Sequence, residues 1–246
     1  MEKGVKRMPG YVMHLAEERL ILDKLNEALP ISKSWEQRFR TGTLLPDTKL
    51  REGKPLSHFW KQEEAALLAR LPDLDAFTGK YAAELKDPLV FGYLAHLHLD
   101  LLYLRDFWPS YIRFYNADGR EEPVREKVTS AFVLKTKQCV PIDDFFSPAW
   151  YYGEYGKLNY YFVDRYKISL PDWKHVGKCT VEEVDLNDLA MILEHVGSHL
   201  ESCRPGDDKA LQIFDREAVD SFIGSSADTF MKVYGNLITE ESLCGY

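Results

Sequence analysis

The chain has 246 residues, 45% hydrophobic and 28% charged, an ordinary globular balance with room for one large domain or two small ones. Its formal net charge of −8 weighs against a broad phosphate-gripping surface, and no stable nucleic-acid complex is expected, because such binding rests on an excess of Lys and Arg. A cluster of bound cations would still make one site locally positive. The four cysteines, Cys139, Cys179, Cys203 and Cys244, form no CxxC pair, which argues against a zinc ribbon or a disulfide framework. The mildly basic N-terminus has no apolar run behind it, since Glu17, Glu18 and Arg19 arrive too soon for a signal peptide. No run reaches the roughly 18 apolar residues of a membrane span, and a cytoplasmic protein is the expectation.

Helical spacing dominates along the chain. Residues 11–29 carry apolar positions at Val12, Leu15, Leu20, Ile21, Leu25 and Leu29 and stop at Pro30. Ser57 is placed to N-cap a helix over 57–71, closed by Pro72, and a shorter helix is expected over 74–85. Asp87-Pro88 then opens a long helical segment, 89–115, which Pro109 should kink or end. Asn116-Ala117-Asp118-Gly119 is a turn signal. Further helices are expected over 120–136, over the Tyr-rich stretch 144–166 (broken by Pro148), over 186–203 and over 216–237. The segment 168–184 is the least helical and reads as a short strand or an extended loop. No internal repeat, low-complexity tract or linker composition is present. One all-α domain over residues 1–246, a multi-helix bundle, is the economical reading.

Chemistry concentrates in the apolar run Gly92-Tyr93-Leu94-Ala95-His96-Leu97-His98-Leu99-Asp100. His96 and Asp100, four apart, share one helix face, and a carboxylate in such surroundings is costly unless it is paired or holds a metal. His98 lies about 200° around the helix from His96 and should face elsewhere. Upstream stand His14, one turn into the first helix, Asp47 in Gly42-Thr43-Leu44-Leu45-Pro46-Asp47, and His58 in Ser57-His58-Phe59. Imidazole nitrogen and carboxylate oxygen suit zinc and similar divalent metals. Taken singly, each residue could equally be a satisfied core or turn group. His195 and His199 are a rival i,i+4 pair, but they flank an apolar stripe and read better as a helix boundary. His175 reads as surface.

Four pieces in order, Met8-Pro9 with His14, Gly42-x3-Pro46-Asp47, Ser57-His58-Phe59 and Phe91-Gly92-Tyr93-Leu94-Ala95-His96-x3-Asp100, resemble the zinc-dependent phospholipase C family, whose fold is shared with S1/P1-type nucleases. They cover about the first 115 residues. The resemblance implies an all-α bundle holding two or three Zn2+ ions in a cleft that hydrolyses phosphoester bonds, with a small phosphoester or a phospholipid as substrate. It makes Asp47, His58, His96 and Asp100 ligands of one metal and His14 a ligand of another, with Asp100 bridging. It also makes Asp47 a catalytic residue that orients or deprotonates the attacking water. Two ions about 3.5–4 Å apart would bind a phosphate ester across both.

The chain departs from the family in three places. Secreted members ligate zinc with the N-terminal amine, for which Met1 lies too far ahead. They carry His six residues past the bridging Asp, where this chain has Asp106, either a substitute oxygen ligand or a surface charge beside Arg105. They add a His-x3-Glu pair that is missing downstream. The alternative to a hydrolase is therefore a non-catalytic helical metal-binding or interaction module. The segment Tyr152-Gly153-Glu154-Tyr155-Gly156-Lys157-Leu158-Asn159 is similar to one in intracellular members, its tyrosines either lining a cleft or packing between helices.

Overall fold

A computed structural model of the protein describes residues 10–49, 53–174, 176–202 and 211–239, without the side chains of His199 and Ser202. The expectations for Met8-Pro9, His175, Cys203 and Cys244 lie outside these residues. In chain order come α1 (Tyr11–Ala28), α2 (Lys33–Gly42), a 3-10 turn Leu45–Thr48, α3 (Lys54–Ser57), α4 (Leu74–Lys80) and α5 (Pro88–Leu102), which runs into a π-helical turn Tyr103–Phe107. Then follow β1 (Ile112–Tyr115), β2 (Ser130–Val133), β3 (Gln138–Pro141), α6 (Ile142–Phe145), α7 (Tyr151–Tyr166), α8 (Leu189–Ser202) and α9 (Arg216–Tyr234). The protein is mostly helical, but not all-α. Its small sheet is antiparallel in the order β1-β2-β3, with Phe114 opposite Ala131 and Phe132 opposite Cys139.

Two stretches read as helix are folded otherwise, and a third leaves the helix at its proline, as expected. Residues 120–136 hold a 3-10 turn, Arg125–Lys127, and strand β2. Residues 57–71 are mainly turns after α3 ends, with a 3-10 turn at Gln62–Glu64 and a bridge from Trp60 to Pro72. The segment from residue 89 stays helical to Phe107, passes through a 3-10 turn at Trp108–Ser110 that contains Pro109, and leaves as β1. Pro cannot donate to a helical ladder, so the chain changes direction there. The described residues of 168–184 form the extended loop, held by a largely buried ion pair. Arg38 grips the Asp87 carboxylate (Nε–Oδ1 2.6 Å) and donates to the Val176 and Lys178 carbonyls.

Two cores lie either side of α1 and α5. One packs Leu15, Ile21 and Leu25 with Trp35, Phe39, Phe91, Leu94, Leu189, Ile192 and Phe230; the other packs Val12, Met13 and Ala16 with Leu99, Tyr103, Ile112, Val133, Phe145, Tyr151, Phe162 and Phe214. α2 crosses α5 through two glycines: a Cβ at Gly42 would lie 2.1 Å from the Leu89 carbonyl oxygen, and one at Gly92 2.1 Å from that of Phe39. No side chain fits between backbones so close. In the Tyr-rich segment, the Tyr103, Tyr151 and Tyr155 hydroxyls meet, with Tyr155 to Tyr151 at 2.7 Å. The buried Glu154 carboxylate accepts backbone N–H bonds from Gln212, Ile213 and Phe214. That segment packs between elements and ties the chain before α9 to α7. Among the described residues, no helix is long and apolar enough to cross a membrane.

Candidate metal centre

His14 projects from α1 and His96 and Asp100 from α5, while Asp47 sits in the 3-10 turn and His58 is the residue capping α3. All five are buried. Two sets of ligand atoms converge, each within 4.8 Å: His14, His96 and Asp100, and Asp47, His58 and His96. His96 belongs to both, and Asp100 of the first set also faces His58 of the second. Asp100 Oδ1 is 3.3 Å from His14 Nε2, and its Oδ2 is 3.6 Å from His96 Nε2 and 3.7 Å from His58 Nε2. His58 Nε2 is also 3.6 Å from Asp47 Oδ1. The His14 and His96 rings stack with centroids 3.8 Å apart.

These spacings suit a cation. Four donors about 2.1 Å from a central ion at tetrahedral angles stand about 3.4 Å from one another. Three contacts among these donors, Asp47–His58, His58–Asp100 and His96–Asp100, run from 3.6 to 3.7 Å, too long for hydrogen bonds and slightly open for a zinc cage, while Asp47 and Asp100 belong to different sets. His58 Nε2, His96 Nε2 and both Asp100 oxygens are buried with no hydrogen-bond partner. A buried carboxylate in that state is costly without a cation.

Neighbouring groups set the histidine tautomers. His96 Nδ1 lies 2.8 Å from the Thr43 carbonyl, which can only accept, so Nδ1 carries the proton and Nε2 presents its lone pair to Asp100. The Gly42–Gly92 crossing brings that carbonyl within reach. His58 Nδ1 lies 3.2 Å from the Lys54 carbonyl and 3.0 Å from Ser57 Oγ, whose own proton goes to the Pro46 carbonyl at 2.8 Å. His58 Nε2 is thereby left as an acceptor. Tyr93 donates to the Ser57 carbonyl and holds the same corner.

The electrostatics follow from burial. Desolvation pushes the Asp100 carboxyl up to about 6 and His96 down to about 3, with His14 beside it adding to the fall. Desolvation lowers His58 as well. Burial would raise Asp47, but the Lys54 ammonium (Nζ–Oδ1 2.6 Å) and His58 together hold it well below the usual carboxylate range.

The structure does not bring Asp106 into either set. It is exposed and bonded to Arg105 at 2.6 and 2.8 Å. His98 faces α9, its ring against Phe230 and Tyr234 and its Nδ1 3.5 Å from Ser226. His195 is exposed, with its ring edge against Tyr11. The residues that sequence reasoning missed are Thr43 and Lys54. Lys54 had a signal in its i,i+4 spacing to His58; Thr43 acts through its backbone and had none. No family model, no curated protein and no solved structure matches the chain.

Proposed function

We propose that the protein is a zinc-dependent hydrolase of phosphoesters, most naturally phosphodiesters. The observation that carries this reading is Asp100: a fully buried carboxylate whose two unbonded oxygens face separate histidines. Asp47, His58, His96 and Asp100 would hold one ion, and His14 with the other Asp100 oxygen would offer a second position with only two of these five residues. Such a position leaves room for a substrate oxygen. A bound divalent ion supplies Lewis acidity toward a phosphoryl oxygen and toward water at neutral pH.

The chain's own residues then orient and hold. Thr43 and the Lys54 and Ser57 pair keep the His96 and His58 lone pairs aimed inward. Asp47, held far below the usual carboxylate range, is a poor proton acceptor and serves better as a ligand than as a general base. The motif resemblance to zinc-dependent phospholipases C supports the same chemistry.

The second reading is a structural ion. A four-ligand cage this deeply buried is also how a closed structural site is built. Zinc-loaded protein assayed on a chromogenic phosphodiester separates the two: the hydrolase reading expects turnover that a chelator abolishes and zinc restores. Protein that holds zinc and turns over no phosphodiester or phosphomonoester would favour the structural reading.

A further inference from the structure

Resting on that reading, we propose that Arg70, with Arg125 near it, takes up a second anionic group of the substrate, so that the preferred phosphoester carries a further phosphate. The loop after α3 builds the site. A bridge from Trp60 to Pro72 closes that loop, and the Arg70 guanidinium carbon lies 4.5 Å over the Trp60 ring. The Trp60 centroid is 5.3 Å from that of the His58 ring, which keeps the guanidinium within about 10 Å of a candidate ligand. Leu68 N–H donates to the Pro123 carbonyl and Arg125 N–H to that of Ala66, seating the stretch between β1 and β2 against the same loop.

What the guanidinium lacks is an anion. Among the described residues Arg70 has the Trp60 ring as a partner, and no carboxylate or hydrogen-bond acceptor. Arg38, Arg40 and Lys54 are also drawn inward, and each sits on a carboxylate. Carboxylates outnumber Lys and Arg by 39 to 31 in this chain, so a partly buried arginine left without one stands apart. The charge that bears on it is instead a second cation. Burial lowers Arg70 from its usual range, and Arg125 lowers it further. A guanidinium stays charged through such a shift, and a bound oxyanion would offset both costs. The planar fork of N–H donors matches phosphate oxygens two at a time. Stacking on Trp60 fixes the plane of that fork, so less freedom is lost when the anion binds. Arg125 is exposed, which leaves this side of the loop open to solvent.

The test is calorimetric titration of zinc, and then of propane-1,3-diyl bisphosphate or propyl phosphate, into wild type, Arg70→Met, Arg125→Met and Arg165→Met. The two phosphates differ only in the second anionic group. Zinc-loaded wild type should bind the bisphosphate about tenfold more tightly than propyl phosphate, the worth of one charge-assisted hydrogen bond. Arg70→Met should bind the two alike with its zinc affinity unchanged, and Arg125→Met should lose part of the preference. Arg165→Met removes a cation that already has a carboxylate, Asp220, and should keep the preference whole. If Arg70 merely packs on Trp60, Arg70→Met should keep the preference while losing stability or zinc affinity. That pattern, or no preference in zinc-loaded wild type, overturns the proposal and leaves the metal reading standing. A wild-type chain that binds no zinc overturns both, and the zinc titration made first tells the two failures apart.

Discussion

Glu17 sits three residues beyond His14 on the buried side of α1, accepting a hydrogen bond from Ser226. Burial raises its carboxyl from 4.5 to about 8, and the nearby Asp100 adds to the rise. The folded chain therefore carries a proton on Glu17 that the unfolded chain loses near 4.5. Between those two values the native state binds the extra proton, so its stability falls as pH rises through the window. Glu17→Gln keeps the Ser226 bond and removes the titration. Its stability relative to wild type should climb steadily from pH 4.5 to 8, measured by urea unfolding of both proteins in chelator. A flat difference across that range would mean that Glu17 is already ionised when folded. At this scale the candidate site was legible: His96 and Asp100 stood out by spacing in an apolar run, and their i,i+4 relation survives as a 3.6 Å contact. Asp106 was not decidable, because a carboxylate beside Arg105 looks the same in sequence whether it binds a metal or the arginine.

The crossing of α2 and α5 is the element on which the centre depends. It places the Thr43 carbonyl on His96, and it rests on Gly42 and Gly92. Gly92→Ala would force its methyl against the Phe39 carbonyl and push the helices apart. The expected cost is about 2–3 kcal/mol of stability, with a weakened zinc affinity that Gly79→Ala, at an open position on α4, should not share. Unfolding curves and zinc titration of both variants check this. Sequence reasoning passed over α2 although Ser32 caps it and Trp35 and Phe39 lie one turn apart. Ten residues between two short loops are too few for periodicity to announce itself. The sheet was hidden for a related reason. Its strands are four residues each, and the turn between β2 and β3 puts Lys137, not Gly, in the left-handed region (φ 55°). The usual hairpin signal was therefore missing.

Across the whole molecule, the five candidate ligands span residues 14 to 100 and come from α1, the 3-10 turn, the end of α3 and α5. They meet only when both cores have formed around α1 and α5, so binding and folding are coupled and zinc should stabilise the fold. The helical character and the order of the main helices followed from apolar spacing and from Pro and Asp boundaries such as Asp87-Pro88. The convergence itself was carried by motif resemblance, since no local pattern says that residue 14 or residue 58 comes close to residue 100. The most direct measurement is zinc content after equilibrium dialysis of chelator-stripped protein, wild type beside Asp100→Asn and His14→Ala. At least one zinc per wild-type chain is expected, with Asp100→Asn losing more than His14→Ala because Asp100 faces both positions. No zinc retained by wild type, or full retention by Asp100→Asn, would contradict a centre built on Asp100.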